Sequence, residues 1–163
     1  MPSITDLAAP FAGWSALYAD STLVSTTVTT IHILALLGAG GLAIGADRLT
    51  LRATVPDASR IAEELRAVHR PVLVALTVLF ISGLALATAD LETFLASPVF
   101  WVKLGLVTLL LANGAGLART ESRVRASLPV TDALWRRLRM HAWVSLTLWA
   151  LVTVAGTVLV NAA

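Results

Sequence analysis

Four stretches of this chain are uncharged or nearly so, and each is long enough to cross a bilayer, which takes roughly 17–25 residues. They run over residues 21–46, 71–89, 98–118 and 142–161, and Lys103 is the one charge inside them. The hydrocarbon offers no water to the backbone, so each stretch has to satisfy its own N–H and C=O groups as a helix. The expectation is an all-α integral membrane protein: an up-down four-helix bundle with short interfacial helices, forming a single membrane domain over residues 1–163. Composition agrees. Only 13% of the residues are charged and the mean hydropathy is +0.82, against about 25% charged in an average soluble domain. There is no cysteine, which removes disulfides, thiolate metal sites and cysteine nucleophiles.

Orientation follows from the basic residues. Residues 47–70 hold Arg48, Arg52, Arg60, Arg66 and Arg70, and residues 119–141 hold Arg119, Arg123, Arg125, Arg136, Arg137 and Arg139. The N-terminal segment and the turn "DLETFLAS" carry Asp6, Asp20, Asp90 and Glu92 and no basic residue. The positive-inside rule then places both arginine loops in the cytoplasm and both termini outside a bacterial inner membrane. The arginines read as topology rather than nucleic-acid binding. The first twenty residues lack a basic start and a continuous apolar run, so they are expected to be retained rather than cleaved as a signal peptide.

Several local expectations follow. "PDASRIAEELRAVH" opens on a helix-start signal and spaces Ile61, Leu65 and Val68 as one apolar face, a short amphipathic helix at the inner surface. Thr131 is placed to cap a helix that runs unbroken into the fourth span and projects beyond it. Residues 5–19, with Trp14 and Tyr18, read as an outer interfacial helix. Trp101, Trp143 and Trp149 suit a membrane belt or lipid-facing positions, and Trp135 suits the inner surface. Gly38, Gly40, Gly41 and Gly45 in the first span and Gly114 and Gly116 in the third suit close helix packing. Packing within the bundle is the simpler reading of these glycines, and a dimer face at Gly41 and Gly45 the alternative. Asp47 and Arg48 read as an interfacial ion pair.

Ionisable groups inside a membrane are costly and tend to mark sites. By helical rise His32 lies about 15 Å into the first span, and Lys103 sits near the outer start of the third. Together they form a candidate outer site, with Thr29, Thr30, Trp101 or Asn113 as further contributors. His69 and His141 stand at the cytoplasmic starts of two spans and form a candidate inner site. Two neutral imidazoles at one depth suit a haem iron, with arginines for its propionates. A zinc ion normally takes at least three protein ligands. Each residue also has a plain structural reading: His32 bonded to a threonine or carbonyl, His69 and His141 as interfacial histidines, and Lys103 as an anchor. The four stretches hold no acidic residue, which argues against an ordinary proton- or sodium-coupled transporter.

The segments "WSALYADSTLVSTTVTTIHILALLGAGGLAIGADRLTLR", "SGLALATADLETFLASPVFWVKLGLVTLLLANG" and "VSLTLWALVTVAGTVLVNA" resemble an uncharacterised group of bacterial four-helix membrane proteins. The positions that carry the likeness are His32, Asp47, Arg48, Gly83, Phe100, Lys103, Asn113 and Trp149. A looser likeness reaches the HemJ-type protoporphyrinogen oxidases, through His32, Gly41, Arg48, Leu49, Lys103 and Leu104. It also reaches the copper-resistance D-type membrane domains, through the "G-L … K-L" pattern. The chain departs from the oxidases in having "LLGAGG" after its first-span histidine. It departs from copper handlers in having Met1 and Met140 as its only methionines. The oxidase resemblance implies a haem b association with His32 and Lys103 as the functional pair.

Two functions are therefore expected as alternatives. One is a b-type haem or quinone-linked electron-transfer protein, with iron ligated by His32 or by His69 and His141, and with a membrane redox partner. The other is a cofactor-free accessory subunit of a larger membrane complex, or a homo-oligomer.

Overall fold

A computed structural model describes residues 4–127 and 129–162. Among the described residues the regular structure is helical throughout. A short helix α1 (Ile4–Ala8) leads through a 3-10 turn (Ala9–Phe11) into α2 (Ala12–Asp20). The long helices are α3 (Thr22–Arg52), α4 (Ala58–Ala89), α6 (Pro98–Ala126) and α7 (Asp132–Ala162), and α5 (Leu91–Ala96) turns the chain between α4 and α6. All four long helices are long and apolar enough to cross a membrane. With short connections they run up and down, which makes the protein a multi-pass membrane bundle. Leu23, Leu37, Leu73, Phe80, Ile81 and Val154 are all at least 60% exposed, an apolar surface that water would not tolerate but acyl chains would.

The helix starts follow ordinary chemistry. The Ser21 side chain accepts from the backbone N–H of Val24 at 3.4 Å and breaks α2 from α3. The hydroxyl and the backbone N–H of Thr54 both donate to Asp57 Oδ2, at 2.8 and 3.1 Å. These bonds hold the exposed Asp57 carboxyl below its usual range. Thr131 accepts from the N–H of Leu134 at 3.3 Å, the cap its sequence position suggests. The residue 5–19 segment lies across the bundle end that carries the termini. Trp14 donates to the carbonyl of Ala85 at 2.9 Å, Ser15 to that of Ala89 at 2.7 Å, and Tyr18 bonds Thr29 at 3.2 Å.

The arginine segments differ from expectation. The amphipathic stretch and the second span form one helix, α4, with Pro71 inside it. The missing N–H of a proline removes one backbone bond, and the flanking turns carry the helix past it. Likewise α6 continues to Ala126, so little of 119–141 is loop. These extensions pack on one another: Ile61, Ala62, Leu65, Val124, Trp135 and Leu138 form a closed core at the arginine end. Trp135 is therefore buried rather than resting on a surface, because α4 and α6 extend far enough to cover it.

A second core sits at mid-bundle around Ala39, Leu110, Leu148, Trp149 and Val152. The most apolar window of α7 is 39% buried, against 6–17% for the other three, so α7 is the span its neighbours cover most. Trp149 faces inward at 5% exposure, while Trp101 and Trp143 stay more than half exposed. Gly40 makes room for it: a Cβ there would touch the indole at 3.4 Å. Gly41, Gly45 and Gly114, by contrast, have nothing within 4 Å of such a Cβ. Packing within the bundle therefore accounts for Gly40 and Gly116, and leaves the Gly41/Gly45 face open.

Candidate functional site

His32 stands on α3, midway along its apolar stretch. Its Nδ1 lies 3.0 Å from Ser82 Oγ on α4. The single proton of the Ser82 hydroxyl goes to carbonyls of its own helix, with Val78 O at 2.7 Å and Leu79 O at 3.2 Å. With that proton turned to the helix, serine accepts from the ring, an arrangement that suits the neutral imidazole with its proton on Nδ1 and its lone pair on Nε2. The Cε1–Nδ1 edge of the ring sits close to α4 because residue 83 is glycine: a Cβ there would come within 3.1 Å of His32 Cε1.

Lys103 comes from α6 and is half-buried. Its Nζ lies against Gly156 of α7, where a Cβ would be at 3.4 Å. It is close enough to His32 for its charge to act on the ring. Among the described residues no carboxylate lies within 4.0 Å of it. The pair expected from sequence thus shares one neighbourhood to which all four long helices contribute: His32 from α3, Ser82 and Gly83 from α4, Lys103 from α6 and Gly156 from α7. The other contributors considered do not join it. Thr29 bonds Tyr18, the Trp101 indole donates to Leu95 O at 3.1 Å, Asn113 bonds His141, and Thr30 is exposed.

At the arginine end each histidine has its own partner. His141 Nδ1 lies 2.8 Å from Asn113 Oδ1, and the Asn113 amide donates back to the His141 carbonyl at 3.0 Å. Gly116 seats this ring very closely, since a Cβ would approach its Cε1 to 2.7 Å. His69 Nε2 lies 3.2 Å from Glu121 Oε2, and Arg125 holds the other carboxylate oxygen. The two anchors on α6, Asn113 and Glu121, are eight residues apart, about 12 Å along a helix. The structure thus engages His69 and His141 with separate partners. Among the described residues no three His, Cys, Asp or Glu side chains are grouped to hold a metal ion.

Two buried carboxylates were not anticipated. Glu121 is fully buried and Asp47 is 2% exposed. Asp47 does not pair with Arg48: neighbouring residues on a helix point about 100° apart, and Arg48 faces outward while Asp47 faces α7. Its neighbour there is the Ser145 hydroxyl. The chain does carry the signal for both. Leu117, Glu121 and Val124 fall on one helical stripe, as do Ala39, Ala43, Asp47 and Thr50.

No family model, no curated protein and no solved structure matches the chain.

Proposed function

We propose that the protein is a small b-type haem or quinone-linked redox protein of a bacterial inner membrane, with its arginine end in the cytoplasm. One observation carries this reading: His32 Nδ1 lies 3.0 Å from Ser82 Oγ, whose own proton has carbonyl acceptors on its helix, an arrangement that suits the Nδ1–H tautomer and leaves Nε2 for a ligand within an apolar span. Ligand histidines are commonly oriented this way, through a hydrogen bond on the nitrogen that does not ligate. A bound haem would supply one-electron chemistry. The chain's own part is to hold and orient. His32 offers Nε2 as axial ligand or as hydrogen-bond acceptor. Lys103, a cation with no carboxylate within reach among the described residues, would answer a propionate or a quinone carbonyl oxygen. Among the described residues His69 and His141 each keep one ring nitrogen free, but they stay outside this assignment because their anchors on α6, Glu121 and Asn113, stand eight residues apart and hold the two rings separately.

The test is the visible spectrum of the detergent-purified chain with and without added haemin. The expected result is a Soret band that His32→Ala abolishes and that His69→Ala and His141→Ala leave intact. A band that follows His69 and His141 instead would move the site to the arginine end.

A second reading, an accessory subunit without cofactor, is favoured by a different observation. A groove of about 260 Å³ between α3 and α4 is lined by Gly41, Leu42, Gly45, Ala46, Leu49 and Leu65, among others. Among the described residues a Cβ on Gly41 or Gly45 would meet nothing within 4 Å, so a helix of a neighbouring subunit could approach closely. A colourless protein that takes up no haemin would favour this reading.

A further inference from the structure

Asp47 raises a question that neither reading answers. Its side chain is 2% exposed, and its Oδ2 atom has no hydrogen-bond partner. The neighbouring side chain is a neutral hydroxyl, that of Ser145 on α7, itself 6% exposed. One turn further along α3, Thr50 is also buried, but its hydroxyl is committed to the carbonyl of Ala46 at 3.0 Å. Charged and titratable groups stand on every helix nearby. On α3 these are Arg48 and Arg52, both exposed. On α4 they are Glu64, bound to Arg60; His69, bound to Glu121; and Arg66 and Arg70, both exposed. On α6, Arg125 is bound to Glu121, and on α7, His141 is bound to Asn113 while Arg137 and Arg139 are exposed. Among the described residues, none lies within ion-pair distance of Asp47.

Burial of this kind disfavours a bare carboxylate. Removing an unpaired charge from water is so costly that the group neutralises instead. Glu121 shows the contrast within the same bundle, since it is buried to the same degree but held by Arg125 and His69. We infer that Asp47 is a proton-binding site at the α3–α7 seam: it takes up a proton at mildly acidic pH, where an exposed carboxyl is still ionised, with Ser145 as its hydrogen-bonding neighbour. The unpartnered oxygen is where the proton resides. Asp47 lies five residues from the end of α3, about 8 Å along the helix, so the proton exchanges with water at the arginine end. The site differs from that of His32 and Lys103 and is independent of any cofactor.

Infrared spectroscopy of the full chain in detergent tests this directly. The expected result at mildly acidic pH, about 5, is a protonated-carboxyl carbonyl band that shifts in heavy water. It should be absent from Asp47→Asn, retained in Glu121→Gln, and moved in frequency in Ser145→Ala. On raising the pH this band should fade, and the unfolding temperature of the wild type should fall with it. That sign follows because a group that binds its proton more tightly when folded loses its stabilising effect as pH rises through the folded-state titration. Asp47→Asn, a neutral mimic, should show no such fall. If Asp47→Asn proves too unstable to purify, the Ser145→Ala frequency shift carries the test alone. A wild-type spectrum with no such band at mildly acidic pH would overturn the inference. So would an unfolding temperature that rises with sodium but not choline while the band is missing, since the bound cation would then be sodium.

Discussion

Gly116→Ala tests the packing account most sharply, because the structure sets both its cost and its control. The added Cβ would approach His141 Cε1 to 2.7 Å, closer than side chains pack. The ring is held by Asn113 on the same helix as the glycine, so it cannot swing aside and keep its hydrogen bond. Overpacking of this kind costs about 1–3 kcal/mol. Losing a polar contact between membrane helices adds about 0.6 kcal/mol. Against this, alanine is favoured over glycine inside a helix by about 1 kcal/mol. The net expectation is a destabilisation of about 1–2 kcal/mol. Gly41→Ala collects only the last contribution, since nothing lies within 4 Å of its Cβ, and should stabilise by up to about 1 kcal/mol. Unfolding in mixed detergent micelles, followed by tryptophan fluorescence, measures both. Combining Gly116→Ala with His141→Ala should recover part of the loss, because the truncated ring vacates the space. If Gly116→Ala is as benign as Gly41→Ala, the seating of His141 described above is wrong.

Other expectations concern separate parts of the molecule. Trp149→Ala should cost about 3–5 kcal/mol, as for a buried indole, whereas Trp143→Ala, on the lipid side, should change stability by less than about 0.5 kcal/mol; the same unfolding assay separates them. Gly83→Ala should disturb the His32 ring and weaken any haemin-dependent Soret band without abolishing folding, read by absorbance alongside circular dichroism. Asp57→Asn should leave the protein folded but remove one contribution to acid sensitivity. The Asp57 carboxyl titrates below its usual range when folded, so its stabilising effect is present at neutral pH and is lost as pH falls through that titration; a pH series of unfolding temperatures checks it. Because the chain has no cysteine, single cysteines at Arg123 and at Glu92 report orientation cleanly. With intact inverted and right-side-out vesicles, an impermeant maleimide should label the first from the cytoplasmic side and the second from the other.

The span-forming helices were legible because the bilayer imposes one strong rule, and residues 21–46 or 142–161 obey it whatever their neighbours do. The Thr131 cap was legible because capping is local. The shared neighbourhood of His32 and Lys103 was legible as well, since depth along a helix follows from residue count. What could not be read was rotation. In a helix such as α7 both the lipid face and the core face are apolar, so hydropathy cannot tell Trp149 from Trp143; only the glycine at position 40 of the facing helix decides which indole turns inward. The same ambiguity hid Asp47 and Glu121, which stand beside arginines and therefore look solvated. Their burial follows from stripe position: Glu121 shares a face with Leu117 and Val124, and Asp47 one with Ala39 and Thr50. The absence of acid from the four apolar runs was accordingly a weaker argument against proton handling than it looked. The helices continue past those runs, and the carboxylates lie in the continuation, covered by α4 and α7 rather than by lipid. In a small bundle, where the protein interior ends and where the membrane ends are two different boundaries, and the chemistry of this chain at its arginine end lies between them.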